Sequence, residues 1–274
     1  MTTQTSMPIK ALRSTLTLAD PYTLTALDAA TTPLLGLADG DRLLLLPASA
    51  EHVLVAAGAG GGTSTLLRGL TAQVLALGAS VDVIDPGGTG HLWARDLPGV
   101  RYLSRISEIH DQLQLTVASL QDGTSRFTGG WTGRRVLVIE HLGTVAYGLR
   151  EYWSQTRPET QLPEAPGVEA LAMLLASGPA FGVQILAGNP RVGLPGLGAA
   201  PIAQVFPTRV IAYGGAALWQ RVAPEIWAIP PYSLIPGRMH LVAEQQATAF
   251  QALNLSDAEA RAFARGVIET GAER

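Results

Sequence analysis

The sequence predicts an α/β domain with a mainly parallel sheet and helices on both faces. Three observations predict it. Short apolar runs alternate with helical stretches along most of the 274 residues. The run at 136–139 is apolar at every position, as in a strand buried on both faces of a parallel sheet. Hydrophobic residues make up 47% of the chain against 15% charged, enough apolar material for a large core and too much for a disordered chain.

The elements follow in order. Residues 1–33 are polar and rich in Thr and Ala, without a clear period, and read as an arm or short edge element. Residues 34–274 read as the domain proper. Runs at 43–46 and 53–57 read as strands joined by the turn PASAEH. The second leads into AAGAGGGTST and then a helix from 65 to about 77, with Leu66, Leu67, Leu70, Leu75 and Leu77 mostly on one face. Gly78 closes that helix. A strand at 81–84 ends in Asp85-Pro86-Gly87-Gly88. A short strand near 100–103 and a helix over 106–120 come next. The turn TGGWTGRR introduces the strand at 136–139, and Arg134-Arg135 reads as a solvated pair before it. Residues 151–166 read as an exposed loop. A helix at 168–176 leads to a strand at 183–187. NPRVGLPGLGAAP is too rich in Gly and Pro for regular structure. A strand at 210–213, a helix at 216–222 and a strand at 239–242 complete the core. Ser256 then caps a final helix running to about 268, with Glu259 at the capping-box position.

Composition excludes several chemistries. There are no cysteines, hence no disulfide, zinc-thiolate site or thiol nucleophile, in keeping with a cytoplasmic protein. The net charge of −3 provides no general basic footprint for nucleic acid. The N-terminus lacks an apolar signal core, and no apolar run reaches membrane-spanning length, so membrane work would need recruitment by a partner. Of 19 basic residues 18 are arginine. The single lysine, Lys10, lies far from every motif, so lysine-dependent chemistry is excluded from the body of the domain.

A strand, a glycine loop and a helix in succession make a phosphate site, because glycines let the backbone approach and the helix N-terminus faces the anion. Three readings stand. As a P-loop, GxxxxGK[ST], the segment Gly58, Ala59, Gly60, Gly61, Gly62, Thr63, Ser64, Thr65 cradles phosphates, with Thr63 in the lysine's place and Ser64 or Thr65 facing magnesium. As a dinucleotide loop, Gly58-Ala59-Gly60-Gly61-Gly62-Thr63 is joined by Asp85 as the ribose-binding acid. A Tyr-x-x-x-Lys pair is missing, since Glu151 stands four residues after Tyr147. The third reading is a tight strand–helix turn with no ligand.

A set of landmarks in order resembles the FtsK/SpoIIIE family of DNA-translocating P-loop ATPases, within the FtsK–HerA group, and the ATPase domains of type VII secretion motors. PLLGLADGDRLLLLPASAEHVLVAAGAGGGTS is similar to the family's opening strand, the strand before its Walker A loop and the loop itself, with His52 at the family's histidine position. VDVIDPGG resembles its second strand, and GGWTGRRVLVIEHLGTV its Walker B strand. FGVQILAGNPR resembles the sensor strand, with Asn189 offset by one from the sensor glutamine. PTRVIAY and FQALNLSDAEARAFAR resemble the segments that follow. Together they cover about residues 34–268.

The resemblance implies a RecA-like P-loop NTPase fold, ATP and Mg2+ as cofactors, catalytic positions at Glu140, His141, Asn189 and Arg209, and a magnesium site at Ser64 and Glu140. Arg209 would reach a neighbouring subunit's phosphates. The family's Walker B motif places Asp on magnesium and Glu on water. Here the pair is Glu140-His141, and the Walker A lysine is Thr63. These departures predict weak or absent ATP hydrolysis, a pseudo-ATPase within a DNA-transfer or secretion-type assembly. Its partners would be ATPase-ring or membrane-complex proteins, with DNA met through the assembly. The alternatives are an NAD(P)-binding Rossmann oxidoreductase and a scaffold subunit with an empty pocket.

Overall fold

A computed structural model describes residues 12–46, 51–121, 130–161, 163–188 and 201–266. Among them, helices are α1 (Pro21–Ala29), α2 (Thr63–Ala76), α3 (Ile106–Gln121), α4 (Leu142–Thr156), α5 (Pro166–Ser177), α6 (Ile202–Val205), α7 (Ala216–Val222) and α8 (Asp257–Ala264). Strands are β1 (Leu34–Leu37), β2 (Leu43–Leu45), β3 (Val53–Ala57), β4 (Ser80–Ile84), β5 (Val100–Leu103), β6 (Arg135–Ile139), β7 (Val183–Gly188), β8 (Thr208–Ala212), β9 (Arg238–Ala243) and β10 (Gln246–Ala252). They form a ten-stranded sheet in the order β2-β1-β10-β9-β8-β3-β7-β6-β4-β5.

The six strands from β8 to β5 are parallel, as the alternation of strands and helices predicts. The other four are antiparallel and extend the sheet beyond β8. The turn between β9 and β10 places Glu244 and Gln245 at φ 49° and 62°, the left-handed pair that suits a tight hairpin.

β3 lies inside the sheet, and all five of its residues are buried. Its side chains divide with the period of a strand. Val53, Val55 and Ala57 join the core beneath α2 and α8, whereas Leu54 and Ala56 join the core on the other face, with α3, α4, α5 and α7. Two apolar layers therefore clamp the strand that delivers the glycine loop.

Several elements depart from the sequence expectation. The N-terminal segment carries α1, capped by the Asp20 carboxylate on the Tyr22 N–H, and Leu16, Ala26 and Leu27 enter the core. α4 occupies the first part of the stretch read as a loop, burying Leu142, Val145, Ala146 and Leu149 at helical spacing. α2 begins two residues earlier than predicted, at Thr63. Arg134 is half-buried rather than solvated, with its guanidinium 4.8 Å from the Trp131 ring centroid.

Candidate nucleotide site at the C-terminal edge of the sheet

The glycine loop spans the end of β3 and the start of α2. Gly60 and Gly62 have φ of 76° and 87°, a conformation that side chains resist, so glycine is required there. Gly61 is needed for space. A Cβ on it would lie 2.7 Å from the Ala57 Cβ, 2.8 Å from the Gly58 carbonyl oxygen and 3.2 Å from Tyr213 Cδ2. The Gly58 N–H donates to the Ala212 carbonyl at 3.2 Å and the Gly61 N–H to the Gly58 carbonyl at 2.9 Å, closing the turn. Ala59 and Gly60 are exposed. Thr63, Ser64 and Thr65 form the first turn of α2, whose N–H groups have no intrahelical acceptor and face outward along the helix axis. This is the geometry that holds an anion.

The structure brings Glu140 to the loop. Glu140 follows β6, is only 4% exposed, and its Oε1 accepts a hydrogen bond from the Ser64 hydroxyl. Its Oε2 lies 2.6 Å from Nε2 of His91, which is fully buried. The indole N–H of Trp93, which can only donate, points at the other ring nitrogen of His91 at 3.4 Å. Nδ1 therefore accepts, and the neutral imidazole carries its proton on Nε2 and donates it to Glu140. Burial raises the Glu140 pKa. The hydrogen bonds from His91 and from the Ser64 hydroxyl outweigh it and hold the carboxyl below its ordinary range. Glu140 is a buried carboxylate that stays ionised because hydrogen-bond donors surround it.

His141 caps α4 beside Glu140, and its Nδ1 is a buried ring nitrogen without a hydrogen-bond partner. Asn189 lies outside the described residues. β7, which precedes it in sequence, runs between β3 and β6. Gly188, at the end of β7, leaves room for Thr63 Cγ2 and the Glu140 backbone, both of which a Cβ there would strike.

Two expected residues are placed elsewhere. Arg209 is the second residue of β8, whereas the glycine loop lies beyond the far end of that strand's partner β3, at Ala57. Its side chain is 4% exposed and pairs with Glu225 at 2.6 Å, so it is turned into the fold and does not present a guanidinium to a neighbouring subunit. Asp85 does not reach a ribose. β7 and β6 intervene between β3 and β4 in the sheet. Its Oδ2 accepts from the N–H groups of Gly90 and His91 at 2.9 and 3.0 Å and from the Tyr102 hydroxyl at 2.8 Å. Burial, then the hydrogen bond to Asp85, pushes the Tyr102 phenol well above its usual value. A dinucleotide fold needs the strand carrying the acid beside the strand carrying the loop, and this sheet separates them.

Sequence reasoning missed His91, Tyr213 and the cleft next to the loop. The cleft has a volume of about 220 Å³ and is walled by Gly60, Gly62 and Thr65 on one side. Leu16, Met239 and Leu253 make it apolar, while Thr15, Thr17, Gln251 and Asn254 supply polar atoms. Tyr213, at φ 48°, covers Gly58 and Gly61, and its hydroxyl donates to the Leu234 carbonyl at 3.1 Å. The signal for His91 was the run Asp85-Pro86-Gly87-Gly88-Thr89-Gly90-His91, a glycine turn returning a polar ring toward a strand end.

Ser64 and Glu140 are hard oxygen donors that suit magnesium, which takes one or two protein ligands and completes its shell with water and phosphate oxygens. Among the described residues no group of three or more His, Cys, Asp and Glu side chains forms a protein-only cage.

With a glycine loop on an inner strand and a buried acid two strands away, the fold can be set against known structures. The TcpA conjugation coupling protein of pCW3, solved as a monomer with ATPγS, superposes with a TM-score of 0.68 at 17% identity, over 90% of this chain and 72% of that one. The cytoplasmic domain of the type VII secretion ATPase EccC from Thermomonospora curvata gives 0.64 at 15% identity, over 91% and 29%. The cytoplasmic domain of EssC gives 0.58 at 14%, over 83% and 44%. The chain has the fold of the FtsK-like P-loop ATPases. It spans most of the TcpA chain and less than half of the EccC and EssC chains. No protein-family model matches the sequence, and no curated protein does. Among the described residues no helix is long and apolar enough to cross a membrane.

Proposed function

We propose that this chain is a nucleotide-binding domain of the FtsK-like ATPase type that binds ATP with magnesium and hydrolyses it weakly or not at all. The observation that carries the reading is the Ser64–Glu140 hydrogen bond, which joins the first turn of α2 to the end of β6 directly beneath the glycine loop. The loop and the α2 N-terminus hold the phosphates. The cleft between the loop and the β9–β10 hairpin is large enough to take a base. Ser64 and Glu140 supply the protein ligands to magnesium, which neutralises phosphate charge when bound. Thr63 donates one hydrogen bond but brings no positive charge to the γ-phosphate. His141 stands where an activating carboxylate would orient water. Both absences slow phosphoryl transfer more than binding, because the backbone cradle remains.

The likeness to conjugation and secretion ATPases supports a place in a DNA-transfer or secretion-type assembly, with protein subunits as direct partners.

Equilibrium titration with a fluorescent ATP analogue, with and without magnesium and with ATP and NADH as competitors, tests the reading. Magnesium-dependent binding displaced by ATP supports it. Displacement by NADH but not ATP supports a dinucleotide site instead. Binding of neither sinks the nucleotide reading and leaves a scaffold. Steady phosphate release abolished by Glu140→Ala excludes an inactive domain and leaves only the weakly active one.

A further inference from the structure

Glutamate is an awkward occupant of a position suited to aspartate. Its extra methylene carries the carboxylate farther from the strand, and its extra torsion gives the free side chain more ways to point elsewhere. The structure removes both problems with two consecutive residues of the loop after β4. Gly90 clears the space: a Cβ on it would stand 3.1 Å from the Glu140 Cδ and 3.3 Å from its Cγ, tighter than ordinary packing. His91 supplies the direction, with its Nε2 2.6 Å from Oε2 while Ser64 holds Oε1.

The loop that carries them is itself anchored. Asp85 accepts the N–H groups of both Gly90 and His91 and the Tyr102 hydroxyl. The following turn is tied to α8, because Arg261 donates to the Trp93 carbonyl at 2.8 Å. Trp93 and Ala94 are buried, and the indole sets the His91 tautomer. The arrangement does more than pack Trp93 and Ala94 into the apolar core. It places a buried N–H donor on one oxygen of a buried carboxylate whose other oxygen faces the glycine loop.

We infer that His91 is a positioning residue for the magnesium-facing acid: Gly90 makes room for Glu140 and the His91 imidazole orients its carboxylate toward Ser64, so that a glutamate serves at this position. The inference rests on the nucleotide reading of the same site. An outer hydrogen-bond partner of this kind sets ligand orientation, and its loss weakens metal binding without contributing a ligand.

The test is magnesium titration of the full chain at fixed fluorescent ATP analogue, alongside binding of the analogue in EDTA. His91→Ala is expected to raise the magnesium concentration at half-effect by about tenfold or more while leaving metal-free affinity within about twofold. His91→Gln, which keeps an N–H donor, is expected to recover most of the loss. Gly90→Ala gives a second, steric route: it should weaken the magnesium effect with Glu140 in place and be relieved by Glu140→Asp, which withdraws the carboxylate from the added methyl. Thermal melts of each variant separate a loss of fold from a loss of orientation. An unchanged magnesium dependence in His91→Ala overturns the inference while leaving nucleotide binding intact. So does an equal loss in both conditions, or a Gly90→Ala defect that Glu140→Asp does not relieve. Failure of the parent chain to bind the analogue under any condition overturns the nucleotide reading, and the inference with it.

Discussion

Acid should loosen the root of the glycine loop through His52. This residue stands immediately before β3 and is 1% exposed. Its Nδ1 accepts the N–H of Ile185 in β7 at 3.0 Å, so its Nε2–H donates to the Leu174 carbonyl of α5 at 3.2 Å. A neutral ring thus staples the start of β3 to two other elements. Burial is the largest influence and lowers its pKa from 6.5 to about 4, against the opposing pull of the carbonyls of Leu174, Leu175 and Glu51. Below pH 6.5 the unfolded chain takes up a proton that the folded chain refuses until about pH 4. Stability is therefore full above the unfolded value and falls as the pH drops through this window. At about 1.4 kcal/mol per pH unit the loss is capped near 3 kcal/mol, and about 2 kcal/mol of it develops between roughly pH 7 and pH 5. Urea unfolding followed by circular dichroism at those two pH values, for the parent and for His52→Gln, isolates the effect. His110 and His240 are also lowered by burial and titrate in the same sense, but they are common to both proteins and cancel in the difference. Parent and variant losing the same stability, within about 0.5 kcal/mol, would refute the reasoning.

Three other outcomes are expected. Thr63→Lys should tighten binding of a magnesium–ATP analogue by about tenfold, roughly 1.4 kcal/mol, without restoring phosphate release until His141→Glu is added; titration and a phosphate assay check both halves. Gly61→Ala should cost about 1–3 kcal/mol in a melt and weaken analogue binding, since the methyl meets the Ala57 and Gly58 atoms of its own turn. Arg209→Ala should destabilise by about 3 kcal/mol, the low end for a broken buried pair because Glu225 is partly solvated, while analogue affinity in the folded protein is unchanged. A loss of affinity there with stability intact would return Arg209 to the site.

Much of the parallel half of this protein was legible in its residues. An unbroken apolar run such as 136–139 can be buried on both faces only inside a sheet, and AAGAGGGTST reads as a glycine turn between a strand and a leucine-striped helix, as the structure has it between β3 and α2. The capping box at Ser256 and Glu259 is likewise local chemistry, and both of its hydrogen bonds are present. In the antiparallel half the runs at 43–46 and 239–242 were legible as strands, but the hairpin pairing was not, because Glu244-Gln245 carries no glycine or asparagine to announce a left-handed turn. α4 was hidden by Gly143, Thr144 and Gly148, which interrupt the run between its buried positions Leu142, Val145, Ala146 and Leu149.

Composition and order alone determined that a glycine loop follows a core strand, that no lysine stands within it, and that Glu140-His141 ends another strand. Only the tertiary structure decided which residues meet. Sheet order put β7 and β6 between the glycine-loop strand and Asp85, which denies that acid a ribose and frees it to anchor the 85–91 turn. The same turn brings His91 to Glu140 across 49 positions of sequence. Burial decided Arg209, because a guanidinium enclosed on all sides pairs with the carboxylate within reach, Glu225, and not with a distant phosphate. Spacing along a chain reports the period of its elements. The order in which strands assemble, which no local pattern encodes, sets the distances between their ends.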